Sequence, residues 1–247
     1  MAGHSHSANI ARRKGAVDKK RARDFNKCAR KLQSAVRQGG GDPETNLKLR
    51  YAIEKARAAN MPKDTIERTI KKASGDGKQD EELVYEGYAP GGVALMITAL
   101  SDNRARTAGD LKNIFEKGGG NMGSPGSVGF LFVHRAILTV ERGTRSEDEL
   151  TELALEVGAE DVKVESDAAT ILAVPTAFLE TKAALEKQGV AFLSAELGYV
   201  PLTSVPVADR ETAAKLLKLI DLLDANDDVQ DVYANYDMPV EWQGEAE

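Results

Sequence analysis

Cysteine is almost missing from this chain. Cys28 is the only one in 247 residues, so no disulfide can staple the chain to itself. No run of about 18 apolar residues occurs, which excludes a membrane-spanning helix. The N-terminus lacks the apolar stretch of a secretory signal. It is Arg-rich and acid-poor, faintly like a transit peptide, but it runs directly into a helical pattern. Histidine is scarce as well, with three in all, and with a single thiol no triad or metal cluster can be assembled. The expectation is a non-enzyme with no cofactor and no metal. Aromatic residues make up 5% of the chain, leaving few rings to stack on bases. Disorder is excluded by the other side of the ledger: 42% of residues are hydrophobic and the net charge is only −6. That composition can bury a real core in one to three domains. A soluble cytoplasmic protein with no membrane partner is expected.

The charge is unevenly placed. Residues 1–77 hold 19 Lys+Arg against 8 Asp+Glu, a net of +11, whereas the rest of the chain holds 14 basic and 31 acidic residues, a net of −17. A basic module joined to an acidic body points to a polyanion as partner of the basic part. Residues 15–37 show how that charge is organised. Ala22, Phe25, Ala29, Leu32 and Val36 form one apolar helical stripe. Lys20, Arg23, Lys27, Arg30 and Arg37 follow the same rhythm, with Ser34 filling the gap. The second stripe is displaced by two positions, about 200° around the helix. One face can pack on a bundle while the other presents a row of cations, whose release of counterions would give salt-sensitive, sequence-independent affinity for phosphates.

Two further helices are predicted. Asp42-Pro43-Glu44 reads as N-cap, first helical position and first-turn acid, with the helix running through Leu49, Ile53 and Ala56 to Asn60. Met61-Pro62-Lys63-Asp64 starts the next, with Ile66, Ile70 and Ala73 inward. The polar, glycine-bearing stretch Ser74 to Gln79 is the expected boundary of this three-helix domain, residues 1–77, and would let it reorient against the body.

Beyond it the period changes. A strand, a Pro90-Gly91-Gly92 turn and a second strand form a hairpin; Asp102 is expected to cap a helix ending at Gly118; Ser127 to Val133 reads as a third strand. From Ala136 the order becomes βαββαβ, with Ser146 and Glu149 as a capping box, which is the ferredoxin-like signature. Last come an apolar-striped helix from Arg210 to Leu223 and an alternating strand from Val229 to Tyr236. The fold class expected is multidomain α+β: a helical bundle followed by two α+β domains. Residues 80–135 and 206–240 would form one discontinuous domain with the ferredoxin-like 136–205 inserted into it.

The motifs themselves are familiar. MAGHS-x-x-ANI at the start, GGGDPETN, AANMPKDTIER, YEGYAPGGVA, SDNRART and GGGNMG-x-x-GSV resemble the YebC family over nearly the whole chain. The resemblance implies three domains and a DNA-binding transcriptional regulator. Other members act on translation at the ribosome, the mitochondrial ones as translational activators of a cytochrome oxidase subunit. The implied partner is therefore duplex DNA or ribosomal RNA, with the ribosome as a further candidate; a protein-interaction scaffold is the alternative outside nucleic acids. Ser7 stands where the family usually has Trp, and His6 where Lys is common.

The candidate nucleic-acid contacts are Arg12, Arg13 and Lys14 in the basic arm and Lys20, Arg23, Lys27, Arg30 and Arg37 on the first helix. Arg104 and Arg106 are weaker candidates: cations at a helix start oppose its dipole, which suggests an internal carboxylate or an external phosphate, the former being favoured. The glycine-rich loop Gly118 to Gly126 could cradle an anion with its N–H groups, but a helix C-cap and loop explains it better. Asp224, Asn226 and Asp228 mimic the start of a calcium loop that Val229 and Asn235 then break. Cys28 reads as a small residue at the edge of the apolar stripe.

Overall fold

The computed structural model describes residues 17–73 and 80–243. The basic arm with Arg12, Arg13 and Lys14, and the 74–79 boundary, lie outside the described residues. The chain divides into two compact units, one of residues 17–73, 80–133 and 201–243, the other of residues 134–200.

The first unit opens with a helical bundle: α1 (Val17–Gly39), α2 (Leu47–Ala58) and α3 (Lys63–Ala73). Its core is Leu32, Val36, Leu49, Ala52, Ala56, Met61 and Ile66, with Phe25, Ile53 and Ile70 partly buried against it. The expected cap Asp42 does a different job. Its carboxylate accepts from the Glu44 N–H at 3.0 Å and closes the turn between helices. Asn46 caps α2 instead, accepting from the Leu49 N–H at 3.1 Å while its amide donates to the Ala35 and Gly40 carbonyls at 2.8 Å each. An aspartate has no donor to offer those carbonyls, which is why the amide wins the position. Asn60 ends α2 in the left-handed region, at φ 59°.

The α+β part of this unit begins with β1 (Glu81–Tyr88) and β2 (Ala94–Ser101), antiparallel across a short turn at Pro90–Gly92. Then come α4 (Arg104–Lys117) and β3 (Asn121–Met122). Asn103, not Asp102, caps α4, its carbonyl accepting from the Arg106 N–H at 3.1 Å. The strand expected over Ser127 to Val133 is also absent: a 3-10 turn occupies Gly129–Leu131, and a long strand, β4 (Phe132–Glu141), starts after it. The N–H groups a ladder would have used at Gly126, Val128 and Gly129 are bonded to the Glu86 carboxylate.

Much later in sequence, α7 (Arg210–Asp224) and β9 (Val229–Ala234) complete the same layer. β9 lies antiparallel along β2, and the sheet order is β3-β1-β2-β9. Leu95, Ile97, Leu111, Phe115, Leu216 and Leu219 fill the space between sheet and helices. A small parallel pair, β8 (Val205–Pro206) and β10 (Tyr236–Asp237), sits in the closing segment.

The second unit contains β4, α5 (Glu147–Glu156), β5 (Asp161–Val164), β6 (Ala168–Ala173), α6 (Phe178–Lys187) and β7 (Phe192–Pro201). Its strand order is β5-β6-β4-β7. Ser146 and Glu149 form the expected capping box, with bonds of 3.2 and 2.7 Å. Leu138, Leu150, Ile171, Phe178 and Leu185 are fully buried. The protein is an α+β chain, helices first and sheets after.

Candidate nucleic-acid interface

The two stripes of α1 are both present, but neither is left to water over its central turns. The apolar stripe faces α2 and α3, and the cationic stripe faces the carboxylates at one end of the sheet. Lys27 is buried, and its Nζ donates to the Asp224 carboxylate at 2.9 Å and to the Asp224 carbonyl at 2.8 Å. Arg30 reaches further, giving Nη1 to Asp228 at 3.0 Å and to the Asp227 carbonyl at 2.7 Å. Its Nη2 goes to the Leu100 carbonyl at 2.8 Å and to Asp80 at 3.4 Å. On α2, Lys55 pairs with Asp231 at 2.5 Å and Lys48 with Glu82 at 3.0 Å. Lys27 and Arg30 were expected to face phosphate; their charge is spent on the protein's own acids. The reason is energetic. A half-buried cation persists only where fixed carboxylates and carbonyls replace the water it lost.

Asp228 is the hub of this arrangement. Besides Arg30 it accepts from Arg106 at 2.9 Å and from the Thr107 hydroxyl at 2.7 Å. Burial opposes its ionised form, but the bonds from Arg106, Thr107 and Arg30 outweigh that and hold its carboxyl below the ordinary aspartate range. Arg106 thus finds the internal partner expected of it, and also pairs with Asp102 at 3.1 Å. Arg104 is exposed. The Asp224–Asp228 turn that looked like a broken calcium loop is instead a socket for cations of this chain.

The glycine-rich loop does cradle an anion, and that anion is internal. Glu86 is 9% exposed, and its two oxygens accept from the backbone N–H groups of Gly126, Val128 and Gly129 at 2.6 to 2.7 Å. Burial pushes its pKa up, yet these three bonds push harder and leave it lowered. Gly118 caps α4 as expected. Neither the pairing of Glu86 with the loop nor that of Lys27 with Asp224 was anticipated from sequence. The only signal was GSV following a glycine run far from a buried-strand glutamate.

Of the remaining candidates, Arg23 is exposed and Arg37 half-buried. Lys20 belongs to α1, but its side chain lies outside what is described. Cys28 is 4% exposed, and burial raises its thiol pKa, so it is a packed core residue. Exposed cations without a carboxylate partner among the described residues do occur on the third helix, whose cations were not among the sequence candidates: Arg68, Lys71 and Lys72 on α3.

This geometry is shared with known proteins. Residues 5–76 match the TACO1/YebC N-terminal domain, and residues 80–236 match the TACO1/YebC second and third domain. The chain belongs to the TACO1/YebC family. A relative from Halothermothrix orenii is 48% identical over 98% of this chain and 97% of its own, and one from Aquifex aeolicus is 47% identical over 98% of each. Both are named probable transcriptional regulatory proteins. The crystal structure of a conserved hypothetical protein from Aquifex aeolicus superposes with a TM-score of 0.80 at 46% identity, covering 90% of this chain and 93% of that one. The family resemblance read from the motifs therefore holds over both matched regions. Among the described residues no helix is long and apolar enough to cross a membrane.

Proposed function

We propose that this protein is a non-enzymatic, nucleic-acid-binding regulator of gene expression that grips the phosphate backbone of duplex DNA through its basic N-terminal domain. The carrying observation is a charge surplus. Residues 1–77 hold 19 cations against 8 acids, and the body neutralises Lys27, Arg30, Lys48 and Lys55. Arg68, Lys71 and Lys72 stay exposed with no ion-pair partner among the described residues, and a surplus of this kind suits a polyanion. The relatives' names agree with a regulatory role. Chemistry is not part of this reading: the buried carboxylates Glu86 and Asp228 are held by donors and the Cys28 thiol is packed in the bundle core.

A second reading, structured RNA at the ribosome, is favoured by one feature. The cationic stripe of α1 is turned onto the body over Lys27 and Arg30, so it does not offer a helix face for reading base edges. Shape and backbone contacts, the usual mode for double-stranded RNA, need no such face. The deciding measurement is binding of the full chain to short duplexes of unrelated sequence and to RNA hairpins across a salt series. Affinity that falls steeply with salt and ignores sequence supports the proposal. Absence of binding to either, with a protein partner that survives nuclease treatment, would replace it with a scaffold role.

A further inference from the structure

We infer that the C-terminal half of α3, through Arg68, Lys71 and Lys72, is the phosphate-contacting surface of the bundle. This rests on the nucleic-acid reading above and assigns it to residues outside the first-helix stripe. Of the three helices of the bundle among the described residues, two turn cations toward the body: α1 with Lys27 and Arg30, α2 with Lys48 and Lys55. No ion pair from Arg68, Lys71 or Lys72 to the body is seen among the described residues. Its apolar residues Ile66, Ile70 and Ala73 pack into the bundle core, which leaves the opposite side to water. On that side Arg68, Lys71 and Lys72 are all exposed, and among the described residues none of them has an ion-pair partner. The acids of α3 sit earlier, with Glu67 3.8 Å from Lys63.

Spacing favours joint action. Residues three and four apart are neighbours on a helix surface, so Arg68 stands beside both Lys71 and Lys72. The rise from Arg68 to Lys72 is about 6 Å, and a duplex carries one phosphate per strand for about every 3.4 Å of its helix axis. Three cations this close together can meet neighbouring phosphates at once. The acidic remainder of the chain repels the same ligand, so this surface also sets which side of the protein approaches it. A duller explanation exists: cations in a last turn complement the helix dipole and need no ligand. That explanation predicts a change in helix stability and none in affinity.

The test compares the full-length chain with R68Q/K71Q/K72Q and with K112Q/K117Q/K218Q, which removes three exposed cations from the body. The probes are a labelled DNA duplex and a labelled RNA hairpin of equal charge. Affinity of the α3 variant should fall about tenfold or more near physiological salt, and its salt slope should flatten by about two to three units, while the body variant stays within about twofold. K71Q and K72Q alone, both at exposed positions, should each flatten the slope by about one unit, which covers the case of a triple variant that folds poorly. Wild-type binding with an unchanged α3 variant overturns this inference and leaves the proposed function standing. Equal losses in both triple variants also overturn it, since a general charge effect would explain them. Failure of the wild type to bind either probe overturns both.

Discussion

Nη1 of Arg30, in the middle of α1, stands 3.0 Å from Oδ1 of Asp228 in the turn between α7 and β9. The two residues are nearly 200 positions apart, and their contact joins the helical bundle to the sheet. Arg30→Ala would leave Asp228 buried with Arg106 and Thr107 still bonded. The cost should therefore fall below that of a fully orphaned buried pair, at about 2 kcal/mol. Urea melts of Arg30→Ala, Asp228→Asn and the double variant would measure it. A coupling of about 1 kcal/mol or more is expected, and strict additivity would show that the pair contributes nothing of its own.

Acid should weaken the same unit. Asp228 and Glu86 both have folded pKa values below their ordinary ones. The stability they lend is fully present above the unfolded values, about 3.9 and 4.3, and drains away as pH falls through the lower folded values. Glu86→Gln replaces an acceptor-only group with one that aims an N–H₂ at other N–H donors. It should cost about 2 kcal/mol at neutral pH and flatten the acid limb of the stability curve. Melting temperature against pH for both proteins would show the two curves converging at low pH; parallel curves would mean Glu86 does not titrate on unfolding.

Two glycines should respond in opposite senses to alanine. A Cβ on Gly87 would lie 2.6 Å from the Phe115 ring and 2.7 Å from the Asn121 carbonyl oxygen, and the latter is backbone. Gly87→Ala should destabilise by about 1–3 kcal/mol through overpacking. Gly109, inside α4, meets nothing within 4 Å, so Gly109→Ala should stabilise by about 0.5–1 kcal/mol through helix propensity. Thermal melts of the two single variants would check the signs.

The parts of the fold that were legible in the sequence are those with a local cause. The Ser146–Glu149 capping box, the Pro90–Gly92 turn and the apolar stripes of α1 and α7 each follow from spacing within one element. Where the reading slipped, a distant group had taken over. Glu86 claimed the N–H groups that would have made Ser127 to Val133 a strand, and Asn46 displaced Asp42 as cap because two carbonyls of another segment needed donors. The cation stripe of α1 is the most instructive case. A row of Lys and Arg looks identical in sequence whether it faces water or a set of aspartates, and here Asp224 and Asp228 lie almost 200 residues away. Periodicity locates a charged face; only its neighbours say whether that face is free.

The two units should unfold separately. Leu216 is fully buried on α7, in the core that β1, β2 and β9 share with α4 and α7. Residues 134–200 form a separate compact unit, in which Leu138, Leu150, Ile171, Phe178 and Leu185 are fully buried. An aspartate at position 216 would bury a charge with no partner, a mechanism severe enough to unfold the surrounding core. In Leu216→Asp, amide exchange should therefore lose protection across β1, β2, β9 and α4, while β4 from Ala136 onward, β6, α5 and α6 keep theirs. The expected pattern follows from the order of the elements: β4, α5, β5, β6, α6 and β7 make a complete βαββαβ run between Phe132 and Pro201, and the sheet β5-β6-β4-β7 draws all its strands from that run. Simultaneous loss in residues 134–200 would mean that the two cores melt as one cooperative unit, and that the inserted segment cannot be treated as a domain.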